Sequence, residues 1–462
     1  MNHNARLSSW LAARLMPRNR ACLDTLHKTH SLFFQPKTVV RRNIFTNRAA
    51  ACFMTTLVVV SLRVDASLRK HARQEPGVPP PFYFYVYDGP DFGILQACAP
   101  TMADKISAIR QYKHGNDVLF LEQIEKHPWR VFDPKHARLF IVPFPITFIA
   151  RFKPTCNGKN WTQLTEALAK QLAQEPTFIK YGGRDHLWIG SHFRAAQLRN
   201  SMPPDSDFHH VTSMCIYAGH GENGLFCAKQ KLILIPYATH EYNSDSLSKA
   251  FRKHRSRPIQ VYARQQIDSR KSYRLRVSIG NQLCNQTTRT HTTPSLYVSS
   301  NYYSPSICRL PVGDYTSCVG SPHLCNCCDT KQSKPSEMVD EYLLSKFCLV
   351  IRGDTCRTSR LYEAVKYGCI PVIVSDELYV KGFPFEDVVH WNTFTIRVHE
   401  QVVLANKFVE HLEHALASSM DHYDSIIRNL EKFAPSLIWD HPESQVTNYV
   451  LKYAARHASS MY

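Results

Sequence analysis

Arg352, Arg357, Arg360 and Glu363 fall within twelve residues of one another. They belong to the stretch FCLVIRGDTCRTSRLYEAVKYGCIPVIVSDE, residues 347–377. Guanidinium groups meet phosphate oxygens in pairs. A carboxylate can accept hydrogen bonds from both ribose hydroxyls. The chemistry on offer is therefore the grip of a nucleoside diphosphate. The alternative is that the arginines are solvated at a helix start and Glu363 faces water.

Such a grip needs a strand and a helix around it. FCLVI is apolar on both sides of the pleat, as a strand covered on both faces is. RGDTCRTS is the loop at its carboxyl end, and Thr358 or Ser359 can cap the helix that follows. Residues 360–367 read as that helix, and Gly368 sits where a helix ends in the left-handed conformation. CIPVIV is the next strand. The helix start then offers free N–H groups and the positive end of its dipole at the mouth of a sheet.

The same alternation runs through the chain. Strands are expected at 82–87, 137–144, 231–235, 258–263, 347–351 and 369–374. Helices are expected at 161–174, after Gly190, and at 272–283, 338–345, 360–367 and 400–413. Strands alternating with helices predict parallel sheets with ligands beyond their carboxyl ends. We read two α/β domains facing a cleft, at 82–250 and 251–435, and a helical tail at 436–462. Residues 285–335, rich in Ser, Thr, Pro and Cys, read as a disulfide-tied insertion with little regular structure.

The formal net charge is +18. Residues 1–48 hold nine Lys or Arg against one acid, Asp24. The rest is a mildly basic globule, suited to nucleotides or acidic glycans. No arginine-rich repeat or zinc-finger spacing points to nucleic acid. Residues 49–68 begin with AAACFMTTLVVVSL, and Arg41, Arg42 and Arg48 precede them. This pattern suggests a membrane signal anchor with a cytosolic tail at 1–48. A cleaved signal peptide and an organelle transit segment are the alternatives. Residues 69–81 read as a Pro-rich stem. Fifteen cysteines, thirteen of them after residue 97, favour an oxidising compartment with several disulfides and a thiol left over. Asn160-Trp161-Thr162 and Asn285-Gln286-Thr287 are glycosylation acceptors if the chain is lumenal.

Ser345 to Asp376 resembles the signature SKFCLxPxGDTxxSxRLxEAxxxGCIPVIVSD of the exostosin-like glycosyltransferases, glycosyltransferase family 47. FPFEDVVHWNTFTIRV, ARLFIVPF, GGRDHLWIGSH and KLILIPYATH resemble further blocks of that family. The resemblance covers roughly residues 82–400. It implies a GT-B fold of two Rossmann-like domains behind an amino-terminal anchor, and a single-pass type II Golgi membrane protein with its catalytic part lumenal. It implies inverting transfer from a nucleotide sugar, a UDP-sugar in most members, to a polysaccharide, proteoglycan or glycoprotein glycan. No permanently bound cofactor and no metal are expected. Arg360 matches the family's diphosphate arginine and Glu363 its ribose carboxylate, with Arg352 and Ser359 in the same loop. VYARQQIDSRKSYRLR matches the phosphate segment of the second domain, which brings in Arg274, and Arg264 where the family often has glycine. Asp185 and His186, read on a loop of the first domain, are the candidates for the base; the alternative is a structural Asp–His hydrogen bond that holds the loop.

Three departures stand out. Ile351 replaces the usual proline. Cys356 and Arg357 replace Pro-Ser-like residues. SHFR at 191–194 lacks the aspartate of the family's His-Asp. A catalytically weak partner that stabilises or retains another transferase, in a homo- or hetero-oligomer, is therefore the second reading. Asp205-Ser206-Asp207 and the group His323, Cys325, Cys327 and Cys328 lack the surroundings of a metal site.

Overall fold

The computed structural model describes residues 82–221, 224–239, 251, 254–266, 271–286, 298–303 and 335–459. They all fall in one compact unit, residues 71–462. The expected tail, anchor and stem lie outside the described residues, as do most of the Cys-rich insertion and its histidine–cysteine group. Among the described residues no helix is long and apolar enough to cross a membrane.

The amino-terminal lobe holds β1 (Phe84–Val86), β2 (Arg130–Val131), β3 (Leu139–Ile141), a small hairpin of β4 (Thr155–Cys156) and β5 (Lys159–Asn160), β6 (His186–Ile189), β7 (Met214–Gly219) and β8 (Lys229–Leu234). All but the hairpin form one parallel sheet in the order β2-β1-β3-β6-β7-β8. The second lobe holds β9 (Ile259–Gln266), β10 (Val298–Tyr303), β11 (Ser345–Ile351), β12 (Ile370–Val374) and β13 (Ile396–Arg397), parallel in the order β10-β9-β11-β12-β13. Two parallel α/β lobes make the expected GT-B-like architecture. β3, β6 and β12 are buried along their whole length. That requires cover on both faces and explains why their sequences do not alternate.

Several expectations change in detail. His186 opens β6 instead of lying on a loop, because His-Leu-Trp-Ile is wholly buried. The expected helix at 400–413 is two, Glu400–Leu404 and Phe408–Met420, broken where Asn406 takes φ +55°. β10 brings regular structure into the insertion by pairing six residues with β9. The carboxyl-terminal helix Val446–Ser459 packs on the amino-terminal lobe. There Thr447 bonds Gln123, Asn448 bonds His127 at 2.8 Å, and the Lys231 ammonium donates to the His457 carbonyl at 3.0 Å. The last helix thus clasps the first lobe from the second.

Among the described residues three disulfides join Cys98 to Cys156, Cys215 to Cys227 and Cys348 to Cys369. Cys356 belongs to none of these bridges and is buried.

Candidate active site

The loop after β11 is anchored from several sides. Arg352 is ion-paired to Glu400 at 2.8 Å, with Glu377 at 3.8 Å. Asp354 accepts from the Ser272 hydroxyl at 2.6 Å. Ser375 donates to the Cys356 carbonyl at 3.1 Å. Arg276 reaches in from the helix Arg274–Gln286 and donates to the carbonyls of Arg352 (3.0 Å) and Ile351 (3.3 Å). Gly353 is required by that approach, because a Cβ there would lie 2.5 Å from the Arg276 guanidinium and 3.1 Å from the Tyr273 ring. Ile351, in place of proline, keeps β11 in register with Val374.

The helix that follows is Ser359–Lys366, one residue earlier than expected at each end. Thr358 is its cap, accepting weakly from the Arg360 N–H at 3.4 Å, while Ser359 is its buried first residue. Gly368 takes φ +64°, as a helix end of this kind requires. Glu363 does not face water: it is 2% exposed. The Arg360 guanidinium pairs with its carboxylate, and the Tyr342 hydroxyl donates to it at 3.2 Å. Burial works against the charge on Arg360, but Glu363 and Tyr342 outweigh it and hold the guanidinium above its ordinary range. The guanidinium is therefore held charged, one turn into a helix whose start lies at the carboxyl edge of the sheet.

Arg357 joins this loop to the other lobe. It is buried, and it donates to the His220 carbonyl just beyond β7 at 3.1 Å and to the Lys381 and Gly382 carbonyls at 2.7 and 3.0 Å. Nearby, the Tyr237 ring lies 5.9 Å from that of Tyr362, and the Trp439 indole donates to the Pro236 carbonyl at 2.9 Å. The carboxyl edges of the two sheets thus face each other, and the cleft beside their junction is a recess at Gly190, Ser191 and His220, the ligand position in parallel α/β sheets.

On the first lobe this edge is lined by histidines. His114, His192 and His220 are all buried, with the His114 ring 5.5 Å from each of the other two. His114 donates from Nδ1 to the Ser191 carbonyl at 2.6 Å, so its neutral ring carries the lone pair on Nε2. His192 accepts the Arg194 N–H on Nδ1 at 3.1 Å, so its Nε2 carries the proton. Burial, reinforced by nearby cations, pushes His114 down to about 3 and His192 to about 4. The rings stay neutral and offer one acceptor and one donor side by side.

Residues 79–411 match the Exostosin GT47 domain. The chain belongs to the exostosin GT47 family. A probable xyloglucan galactosyltransferase of Arabidopsis thaliana is 23% identical over 342 residues, 71% of this chain and 64% of that protein. A probable arabinosyltransferase of the same plant is 40% identical over 65 residues, 14% of each. An exostosin-1 homolog of Caenorhabditis elegans is 30% identical over 99 residues, 20% of this chain and 25% of that one. The chain thus spans less than two thirds of each of these relatives.

Within this GT47 chain the expected residues part company. Arg352, Ser359, Arg360 and Glu363 come together around the loop after β11. Arg274 stands exposed at the start of its helix, and Arg276, two residues on, is the arginine that reaches the loop. Its cue was available in the sequence: Arg276 adjoins Leu275, a core residue of that helix. Arg264 lies on β9 opposite Asn301, and its side chain is outside the described part. Asp185 and His186 do not reach the cleft. They are fully buried at the amino end of β6, whereas the cleft lies beyond its carboxyl end at Gly190. Asp185 accepts from His186 Nδ1 at 2.7 Å, and the Tyr87 hydroxyl lies 2.6 Å from Nε2. A ring held on both nitrogens inside the core is an internal clamp, unable to meet an acceptor hydroxyl. Sequence reasoning passed over His114 and His192, whose meeting depends on tertiary contact. Asp205-Ser206-Asp207 is a helix entry, with Ser206 accepting weakly from the His209 N–H at 3.4 Å. Among the described residues no group of three His, Cys, Asp or Glu is placed to hold a metal.

Proposed function

We propose that the chain is an inverting glycosyltransferase that moves a sugar from a UDP-sugar to a glycan. The Arg360–Glu363 pair at the carboxyl edge of the second sheet carries this reading, and family membership supports it. Arg360 takes the diphosphate, with the N–H groups of the helix start beside it, and Glu363 takes the ribose hydroxyls. The acceptor oxygen bonds to the anomeric carbon from the face opposite the diphosphate. The bond from that carbon to the phosphate oxygen breaks, and the diphosphate leaves with the electron pair. The hydroxyl proton passes to a base on the facing wall. The departing charge is met by arginine and backbone dipoles fixed in advance. Three disulfides and the basic amino end support a lumenal, anchored enzyme of the Golgi.

The test is UDP titration and UDP release with purified protein. Binding of UDP, and turnover that Glu363→Ala abolishes, are the expected results. Failure of the wild-type protein to bind UDP overturns the reading. The second reading, a weak partner of another transferase, draws on Phe193, which stands beside His192 where the family often has aspartate. It predicts UDP binding without turnover and co-purification with an active transferase.

A further inference from the structure

Beyond the histidines the wall of the first lobe continues as an aromatic strip. The Phe193 ring is stacked on His192 at 4.5 Å and 23°, yet the residue is 41% exposed. It lines a recess with Gly190, Ser191, His220 and Gly221, beside the point where Arg357 crosses from the other lobe. On the other side of His192 lies Tyr112, at 6.4 Å. Cations flank both ends. The Arg151 guanidinium sits over Tyr112 at 4.1 Å and that of Arg194 over Phe193 at 5.4 Å. Both are exposed, and among the described residues neither is ion-paired. Lys113 adds a third positive charge to the same neighbourhood, felt by both His114 and His192.

An exposed ring backed by a stacked imidazole is a rigid apolar plate, and the C–H face of a pyranose packs on such plates. Fixed cations at its rim reward a sugar that carries negative charge and draw it in from solution. We propose that this strip is the acceptor subsite and that it takes an acidic glycan. A uronic acid ring packs against the exposed side of Phe193 not covered by His192, sharing it with the Arg194 guanidinium, and its carboxylate meets Arg194 or Arg151. The inference rests on the reading of the chain as a glycosyltransferase and names the acceptor class.

Calorimetric titration of the full-length protein, without donor, with a uronic acid tetrasaccharide and a neutral hexose tetrasaccharide tests it. The acidic oligomer is expected to bind at least tenfold more tightly, and raising the salt should narrow that gap. Arg151→Gln with Arg194→Gln should erase the preference. Phe193→Leu, which keeps apolar bulk without the ring, should weaken the acidic oligomer about tenfold. Thermal melting checks that each variant folds. Equal binding of the two oligomers, no binding of either, or a preference untouched by these substitutions overturns the proposal. UDP titration of the same protein separates the two readings. UDP uptake without acidic preference sinks this inference alone, and acidic preference without UDP uptake sinks the donor reading alone.

Discussion

Glu363 is a structural residue and, under the proposed function, also the one that takes the ribose, and the two roles make different demands. Buried against Arg360 and Tyr342, its charge stabilises a guanidinium that would otherwise be partly desolvated alone. Breaking such a pair from one side leaves an uncompensated charge. Glu363→Gln keeps the shape and a hydrogen-bond acceptor but removes the charge. It should lower stability by about 1–3 kcal/mol in a urea melt and weaken UDP binding at least tenfold by calorimetry. A variant that melts earlier yet binds UDP normally would leave Glu363 a purely structural residue. Gly353 tests the loop without touching any charge. Its replacement by alanine pushes the Arg276 guanidinium away from the carbonyls at the end of β11. Losing those hydrogen bonds should cost about 1–3 kcal/mol, read in the same melt. Arg276→Ala should cost a similar amount, and the double variant should show far less than the sum, because both changes remove one contact.

At the level of elements, the loop after β11 is held between two strands stapled to each other. Cys348 on β11 is bridged to Cys369, just before β12, closing a loop that contains the helix Ser359–Lys366. Replacing both cysteines by alanine should lower stability by about 3 kcal/mol on chain-entropy grounds, measured by denaturant unfolding. Cys356 has to stay in place during that test, since it is packed in the loop itself. How far these elements could be read beforehand follows from how local their signals are. β11 and β12 were legible because both faces are apolar over five or more residues and a helix cap and a glycine punctuate the segment between them. The helix Trp161–Gln174 was legible because its leucines repeat at helical spacing, and the structure adds a cap at Asn160. β6 was not, because His186 and the charged residues before it look like loop, and only the neighbouring strands supply the partners that bury them. The break at Asn406 was equally hidden, since asparagine in a helical pattern does not announce a left-handed turn. The half of the candidate site around the loop after β11 lies in one contiguous stretch and could be read. The histidine wall draws on the segments around residues 114, 192 and 220, so only the fold assembles it.

For the molecule as a whole, the ionisable groups between and behind the lobes set a pH range. His114 and His254 are each pushed down to about 3 and His192 to about 4, chiefly by burial with nearby cations adding to it, and His220 falls well below its ordinary value for the same reasons. In the unfolded chain a histidine titrates at about 6.5. Between that value and the folded values the unfolded state binds more protons, so stability is full above about pH 6.5 and falls as the pH drops. For a ring with a folded value of about 3 the loss at pH 5 is about 2 kcal/mol. Asp117 acts in the opposite sense. Burial raises it to about 7, although it accepts the Thr147 N–H at 2.6 Å. The folded state therefore holds its proton between about pH 4 and 7, and its contribution grows as the pH falls through that window, by about as much as one histidine takes away. Four histidines against one aspartate leave acid as the destabilising direction. The melting temperature should fall by several degrees from pH 7 to pH 5. His254 is the informative position for a variant because it lies away from the cleft, bonded to Tyr423 and to the Gly368 carbonyl. His254→Asn should melt earlier than wild type at pH 7 but lose less on going to pH 5. Asp117→Asn should steepen the acid loss. A melting temperature that is flat between pH 7 and 5 would mean that the histidines at the lobe junction are reached by water and are not held neutral by the fold.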